Sequence, residues 1–555
     1  MSYKTIFIKR LLQLIGVCGA LMATLAACKR DLGNYNYSAV NAITITTDTV
    51  NADRLMVINN DSLVVKQGDT LKVNVLLSQT KESGDLSFSW LVTQKNSSNG
   101  NPGLYVIGNT RQLTARVLLL PGLYNLVVKA TDNTTGVSYY KIFSLNVSTS
   151  PWGNEGWLVL QQQANGSDLS VITTRDGATR GSIYNNVYFL ANGHKLPFGT
   201  NKVNVLSYNS SVGSQKVSFF YPGGGLQVRS YDFSDSSTND NWFVVNSAPN
   251  FQVNGVVSGG NYEYLINNNQ LYNRVISSVT IKNPPVLFGA PYLGSWTLSP
   301  YVMLANSTAG YAYTLYDQTN KCFLLYSANA NTLLPNIADV PNKHLAAFAG
   351  QASDLLPAAS GFDMNNIGRN LEYAENVLPL PASNGCLYDC FFRNDGHDST
   401  WLYQVPTLPT GYLNNNTSGR FYLNPSNVTG INTAQKFAVP THVVTKDKFY
   451  YVTNDVVYTC TVQTGAASTS AAAGINFPAG TKIGVMKVFK SEYLSAPATE
   501  SKVLVVTTDE TASGGGNKVY FFSIDINGVL NPTPVQVYTG FDKIVDITFK
   551  KGLGQ

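Results

Sequence analysis

Few places in this 555-residue chain gather residues that could do chemistry. The first is Leu25-Ala26-Ala27-Cys28. Ahead of it, Lys4, Lys9 and Arg10 give a positive start, with no acidic residue before Asp31. Leu11 to Ala27 is apolar apart from Gln13, Gly16, Gly19 and Thr24. A signal peptidase admits only small residues just before the cut. A cysteine at the +1 position makes the segment a bacterial lipobox. Its thiol can be thioether-linked to a diacylglycerol, and the freed amine can then be acylated. Two or three acyl chains hold far more firmly than one. Residues 1–27 therefore read as a lipoprotein signal peptide and 28–39 as a lipidated tether. Lys29-Arg30-Asp31 carries no acidic cluster. The expected place is the outer membrane, exposed at the cell surface, with its periplasmic face as the alternative. Elsewhere no run of about 18 apolar residues is long enough to span a bilayer.

Two loops are the next candidates. Arg393-Asn394-Asp395-Gly396-His397-Asp398-Ser399-Thr400-Trp401 brings together a cation, carboxylates, an imidazole and an indole. Arg393, His397, Asp398 and Trp401 are its candidate ligand-binding residues, set against a plain structural turn with Trp401 packed inward. The Asp-box turn of sialidase propellers would need Gly at 398 and Asp at 396, and this loop has neither. The second loop runs from Asp232-Phe233-Ser234-Asp235 to Asn239-Asp240-Asn241-Trp242. Asp232, Asp235 and Asp240 are candidate Ca²⁺ ligands through oxygen, though not at EF-hand spacing. Trp242 is a candidate platform for a sugar ring. A polar hairpin loop is the competing reading. No other cofactor is implied.

Much catalytic chemistry is excluded by what is missing. The four histidines are His194, His344, His397 and His442, and none stands in a His-Glu-x-x-His arrangement. There is no Gly-x-Ser-x-Gly elbow and no Walker loop. Gly223-Gly224-Gly225 and Gly514-Gly515-Gly516 precede no helix opening with Lys and Ser/Thr, so they cradle no phosphate. Cys386 and Cys390 lie in an apolar run; on one strand face they would be about 13 Å apart, too far to bridge. They read as small apolar residues rather than ligands. The mature chain has a net charge of only +2 and no basic stripe, which disfavours nucleic acid as a partner.

The elements that must position these residues are strands. Charged residues are 13% of the chain, while Tyr and Phe together number 57, a balance that favours many short strands joined by turns. The 528 residues beyond the signal suggest two to four domains. Residues 40–148 read as a small β-sandwich. Leu71-Lys72-Val73-Asn74-Val75 alternates, and Leu86 to Val92 places Phe88, Trp90 and Val92 on one face. Gly122 to Val128 leads through Asp132-Asn133-Thr134-Thr135-Gly136 to a strand at 140–147. A central Trp strand followed by a Gly-x-Tyr strand is an immunoglobulin-like pattern.

The run Gly122–Asp132, its Gly turn and one more strand resemble the end of a PKD domain. The lipobox, Asp31-Leu32-Gly33-Asn34-Tyr35, this sandwich and then Glu155-Gly156-Trp157-Leu158-Val159-Leu160 are together similar to the PKD-like lipoprotein family of Bacteroidota. The chain departs from PKD domains in lacking Trp-Asp-Phe-Gly-Asp-Gly, since Trp90 is followed by Leu91-Val92. The resemblance implies a surface location beside a SusC/SusD-type nutrient importer; it does not imply a catalytic site.

Beyond a linker at 148–151, one pattern recurs: an aromatic-rich strand, a Gly/Asn/Asp turn and a second strand. It is found at 157–172, 217–231, 262–275, 311–326, 386–405, 449–462 and 519–538. Asn267-Asn268-Asn269, Asn454-Asp455 and Asn527-Gly528 tolerate the positive φ of tight hairpins. Seven hairpins suit a seven-bladed β-propeller over 151–551, which closes on itself and leaves only short edges. Phe541 to Phe549 could supply the closing strand. A pair of sandwiches is the competing fold, and His344–Leu356 is a candidate short helix. The expected class is thus all-β: a PKD/Ig-like sandwich, then a propeller. The expected function is non-enzymatic binding or scaffolding in an outer-membrane uptake system, with a glycan or peptide as ligand. The alternative is a propeller glycosidase or lyase acting on an extracellular polymer.

Overall fold

The computed structural model describes residues 8, 11–17, 40–48, 57–59, 61–81, 85–95, 105–117, 119, 121–148, 150–174, 176–207, 215–244, 251–259, 262–276, 287–292, 296–304, 312–327, 361–364, 366–377, 386–407, 419–463, 469–491 and 497–552. Cys28, the 28–39 tether and the candidate helix at 344–356 lie outside the described residues. Among the described residues no helix is long and apolar enough to cross a membrane. The chain divides into two compact units, Met1–Val65 with Asp69–Ser148, and Lys66–Gly68 with Thr149–Gln555.

The first unit is a β-sandwich. One sheet has six strands, in the order Val57–Asn59, Ser62–Lys66, Ser138–Ser148, Gly122–Asp132, Leu86–Gln94 and Tyr105–Gly108. Two strand pairs complete it: Ile43–Thr47 with Val75–Gln79, and Thr70–Val73 with Leu113–Arg116. Strand parity sorts the side chains. Leu126, Val128 and Ala130 are buried, while the residues between them are only partly so. Trp90 is fully buried against Phe143, and its indole N–H is donated to the Thr110 carbonyl at 2.8 Å. The stretch 71–75 is not one strand. The chain changes partner at Asn74, whose amide bonds Asp48 at 2.9 Å, so the alternation spans two short strands.

Among the described residues the second unit holds seven antiparallel sheets, which are the seven blades of a propeller. From the inner strand outward, blade 2 is Lys202–Ser207, Gln215–Tyr221, Gly224–Arg229 and Asp235–Thr238; blade 3 is Val253–Gly259, Tyr262–Asn267 and Gln270–Val275. Blade 4 is Met303–Leu304, Ala312–Asp317 and Cys322–Ser327; blade 5 is Asn370–Asn376, Cys386–Arg393, Thr400–Thr407 and Arg420–Leu423. Blade 6 is Lys436–Ala438, Lys448–Thr453, Val456–Thr461 and Ser470–Asn476; blade 7 is Lys482–Val488, Val503–Asp509, Asn517–Ile524 and Leu530–Phe541. Blade 1 joins the two ends of the unit. Its inner strand, Lys543–Lys550, pairs with Gly156–Gln163, which continues to Gly166–Thr173 and Ile183–Tyr184. Four of the seven recurring hairpins are the middle pair of a four-stranded blade, and those at 262–275 and 311–326 are the second and third described strands of blades 3 and 4. The hairpin at 519–538 is instead the outer pair of blade 7, whose middle pair joins Val503–Asp509 to Asn517–Ile524.

The middle strands are largely apolar because both their faces are covered, with a few buried polar residues such as Asp168, Asp389 and Gln404 among them. In Gly156–Gln163, Leu158 and Leu160 face blade 2 with Val203, Val217 and Phe219, while Trp157 and Val159 face blade 7 with Val505, Phe521 and Phe541. The same division repeats around the ring. Tyr388 and Phe392 pack toward blade 4, and Leu387 and Phe391 toward blade 6. The last interface, between blades 7 and 1, closes the circle. Asn268 and Asn269, both at positive φ, turn the blade 3 hairpin, and Asn454 does so in blade 6.

Lys550 ends the closing strand and is fully buried. Its ammonium donates to the carbonyls of Gly153 at 2.8 Å and Lys551 at 3.2 Å. Burial pulls its pKa down to about 7, against the opposing pull of Glu155. The unfolded chain holds this proton up to about pH 10.4, so folding between those values must release it. Stability is therefore expected to rise from pH 7 toward pH 10, by up to ~1.4 kcal/mol per pH unit from this group. Below pH 7 both states are protonated and the contribution is flat. Urea midpoints across pH 6–10 for Lys550→Met should lack this component. Parallel profiles for the two proteins would show that Lys550 does not titrate there.

Candidate functional site

The structure separates the residues that the sequence placed together. Arg393 and Trp401 stand on opposite faces of blade 5. Trp401 is paired with Phe392, one residue out of parity with Arg393. Arg393 is buried, and its guanidinium donates to the carbonyls of Ile431 at 3.0 Å and Ala434 at 2.7 Å, stapling blade 5 to blade 6. Asn394 holds Asp398 through the Asp398 N–H at 3.1 Å and through its own amide on the carboxylate. His397 sits exposed at positive φ on the tip of the turn. Trp401 is half-buried against Tyr422, its ring flanked by the guanidinium groups of Arg369 at 4.6 Å and Arg420 at 5.6 Å.

The second loop is also dispersed. Trp242 is 2% exposed, wedged between Phe220 and Phe251, with its indole N–H on the Ser237 hydroxyl at 3.0 Å, so it offers no face to a sugar. Asp232 accepts from the Ser234 N–H and hydroxyl, and Asp235 accepts from the Tyr188 hydroxyl and pairs with His194. Asp240 lies beside Asn239. Among the described residues no group of three or more His, Cys, Asp or Glu could hold a metal ion, and these three aspartates do not converge on one. Cys386 and Cys390 are buried in the core between blades 4 and 5 and are not joined in a disulfide.

What the ring does gather is charge and amide at one end of its axis. The inner strand of each blade has an edge with no further strand beside it. Backbone groups on such an edge need partners, and side chains from neighbouring blades supply them. Asp546 of blade 1 accepts the Val203 N–H of blade 2 at 3.0 Å. Lys487 of blade 7 donates to the Ile547 carbonyl of blade 1 at 2.5 Å and lies 3.5 Å from the Asp546 carboxylate. Lys202 of blade 2 reaches the Asn254 carbonyl of blade 3 at 3.1 Å. Glu375 of blade 5 accepts the Val439 N–H at 2.8 Å and the Tyr373 hydroxyl at 2.8 Å. Lys490, in the connection after the inner strand of blade 7, bonds Glu375 and the Asn376 carbonyl, both at 2.7 Å. Burial lowers the Lys202 pKa, with Asp546 opposing. Burial also raises Asp389, beside this cluster, to about 7, while a bond from Gln404 opposes it.

Of these groups, Glu375, Lys487 and Lys490 line a cavity of about 220 Å³ where the inner strands of blades 1, 2, 5 and 7 end. Asn204 and Gln215 contribute amides, Thr548 a hydroxyl, Lys487 and Lys490 ammonium groups, and Phe549 an apolar wall. Trp157 backs that wall, with its ring 5.4 Å from Phe549. The arrangement can bind a small polar ligand. No single stretch of sequence announces it, because its residues lie hundreds of positions apart and meet only once the ring is closed. The one local signal is the polar positions on otherwise apolar inner strands, such as Lys202 and Asn204, or Lys487.

A β-sandwich followed by a closed seven-bladed β-propeller is therefore the class of protein that this fold defines. Residues 28–199 match the PKD-like family. No curated protein matches the chain. Among solved structures, a quinonprotein alcohol dehydrogenase-like protein from Bacteroides thetaiotaomicron is similar at 12% identity over 90% of this chain and 99% of its own, with a TM-score of 0.42. The WD40 domain of SCAP from fission yeast is similar at 8% identity over 64% of this chain and 74% of its own, with a TM-score of 0.31. For Hsv2 of Kluyveromyces lactis the values are 8%, 58%, 74% and 0.27.

Proposed function

We propose that this protein is an exported lipoprotein, held by acyl chains on Cys28 at the surface of the outer membrane, and that its propeller is a non-enzymatic binding and scaffold module of a nutrient-uptake system. Its ligand is a glycan or peptide, and a SusC/SusD-type importer is its partner. The anchor rests on the basic start, apolar core and Leu25-Ala26-Ala27-Cys28 in that order. The observation that carries the binding role is the polar cavity at the end of the channel, built on inner strands that neighbouring blades hold rigid. A site on a rigid sheet keeps its geometry without a ligand, which is what capture needs.

Replacing Cys28 by Ser is expected to move the protein from the membrane fraction to the soluble one, or to leave an unprocessed precursor. Processed Cys28→Ser protein that still sediments with membranes would refute the anchor. The binding role is tested by titrating the detergent-extracted, intact protein with a panel of polysaccharides and peptides. Saturable binding of at least one member supports it, and none binding at millimolar concentrations contradicts it.

A further inference from the structure

We infer that the cavity at the channel end is a subsite for an acidic sugar, a hydroxylated ring carrying one carboxylate. This deepens the binding role and rests on it. Three observations converge. The first is charge. Lys487, Lys490 and Lys551 line the cavity, against Glu375 in the same wall and Asp546 beside Lys487. An ammonium has three donors. Those of Lys487 and Lys490 are partly used in holding the ring, and each keeps a donor for an anion.

The second observation is uncommitted amide. Gln215 is 7% exposed and lines the cavity, and its carboxamide has no hydrogen-bond partner among the described residues. Its amide atoms are open to the cavity rather than sealed in the core, so they can meet a polar group that enters it. Asn204, on the neighbouring strand, adds a second amide, and Thr548 a hydroxyl. Donor-and-acceptor groups of this kind suit sugar hydroxyls, which also donate and accept. A bare inorganic anion would leave their acceptor atoms facing negative charge.

The third is size and wall. About 220 Å³ is below the roughly 300–1,000 Å³ of pockets for larger ligands, so it takes one ring and not a chain. Phe549 supplies an apolar surface for the less polar face of that ring.

The test is isothermal titration of the intact protein with glucuronate, glucose, acetate and an oligogalacturonide, for wild type, Gln215→Leu and Lys487→Gln. Glucuronate should bind saturably, with glucose and acetate each at least roughly tenfold weaker, and each substitution should weaken glucuronate roughly tenfold. Lys487 also helps hold the ring. The Gln215 carboxamide makes no hydrogen bond among the described residues, so Gln215→Leu keeps the test valid if Lys487→Gln fails to fold. An oligogalacturonide that binds more tightly and responds to the same substitutions identifies the end of an acidic polymer as the source. Binding of the monomer alone identifies a free sugar acid. Acetate or glucose binding as well as glucuronate overturns the inference. So does glucuronate binding that neither substitution alters. Failure of every acid while a neutral glycan or peptide binds elsewhere overturns the subsite and leaves the capture role standing. Failure of every ligand overturns both.

Discussion

A chain that ends at Phe541 is expected to lose the cooperative unfolding of its second unit and to expose apolar surface. The deleted strand, Lys543–Lys550, is the inner strand of blade 1 and pairs along the length of Gly156–Gln163. Without it that strand becomes an open, apolar edge, the kind of edge that invites aggregation. Ile544 and Ile547 lose their burial in the core between blades 7 and 1, a loss of roughly 3–6 kcal/mol for the pair. Val203 loses the Asp546 acceptor, and Lys487 loses the Ile547 carbonyl. The sum rivals the ~5–15 kcal/mol that holds a typical domain folded. Because Lys550 lies opposite Gly156, the strand ends where other blades have their first hairpin loop. Placing residues 543–552 just ahead of Gly156 is therefore expected to restore folding. Urea unfolding followed by circular dichroism, with a dye for exposed apolar surface, reads both outcomes. A truncated chain with the wild-type midpoint would mean that ring closure is not what holds the unit together.

Glu375→Ala is expected to destabilise the propeller by about 3–5 kcal/mol, the cost of breaking a mostly buried ion pair by removing one partner. Glu375 accepts from Lys490, the Tyr373 hydroxyl and the Val439 N–H, so one carboxylate joins blades 5, 6 and 7. Its loss leaves an ammonium, a hydroxyl and a backbone N–H without their acceptor, and Tyr373 sits in the core between blades 5 and 6. Glu375→Gln keeps an acceptor oxygen and should cost less than the Ala change. Replacing Lys490 in the Glu375→Ala background should recover part of the loss, because the unpaired charge then goes too. Equal midpoints for wild type and Glu375→Ala would show that the blades do not depend on this joint.

Both effects depend on interactions that the sequence does not display. Seven hairpins were legible because turn chemistry and aromatic strands are local: Asn267-Asn268-Asn269 and Asn454-Asp455 turn where their residue types say they must. The Trp90 strand and the closing segment 541–549 were legible for the same reason. The outer hairpin of blade 7 was counted in place of the middle one because its Asn527-Gly528 turn is legible while Val503–Asp509, buried on both faces, shows no period. Arg393 and Trp401 lie close in sequence and in one turn, yet parity across the hairpin sends them to opposite faces. Trp242 looked like a surface aromatic because its neighbours are polar, but two phenylalanines from elsewhere in the chain enclose it. The cavity was beyond reach for a further reason. Asn204, Glu375, Lys487 and Thr548 belong to four blades, and only closure of the ring brings them together.

The central claim is that this propeller captures a ligand without altering it. The most direct measurement is mass spectrometry of each saturably bound ligand after prolonged incubation with the full-length protein. Recovery of the ligand unchanged, at a stoichiometry set by binding, is the predicted result. Shortened, unsaturated or otherwise modified product that accumulates with time would contradict it and identify the propeller as an enzyme.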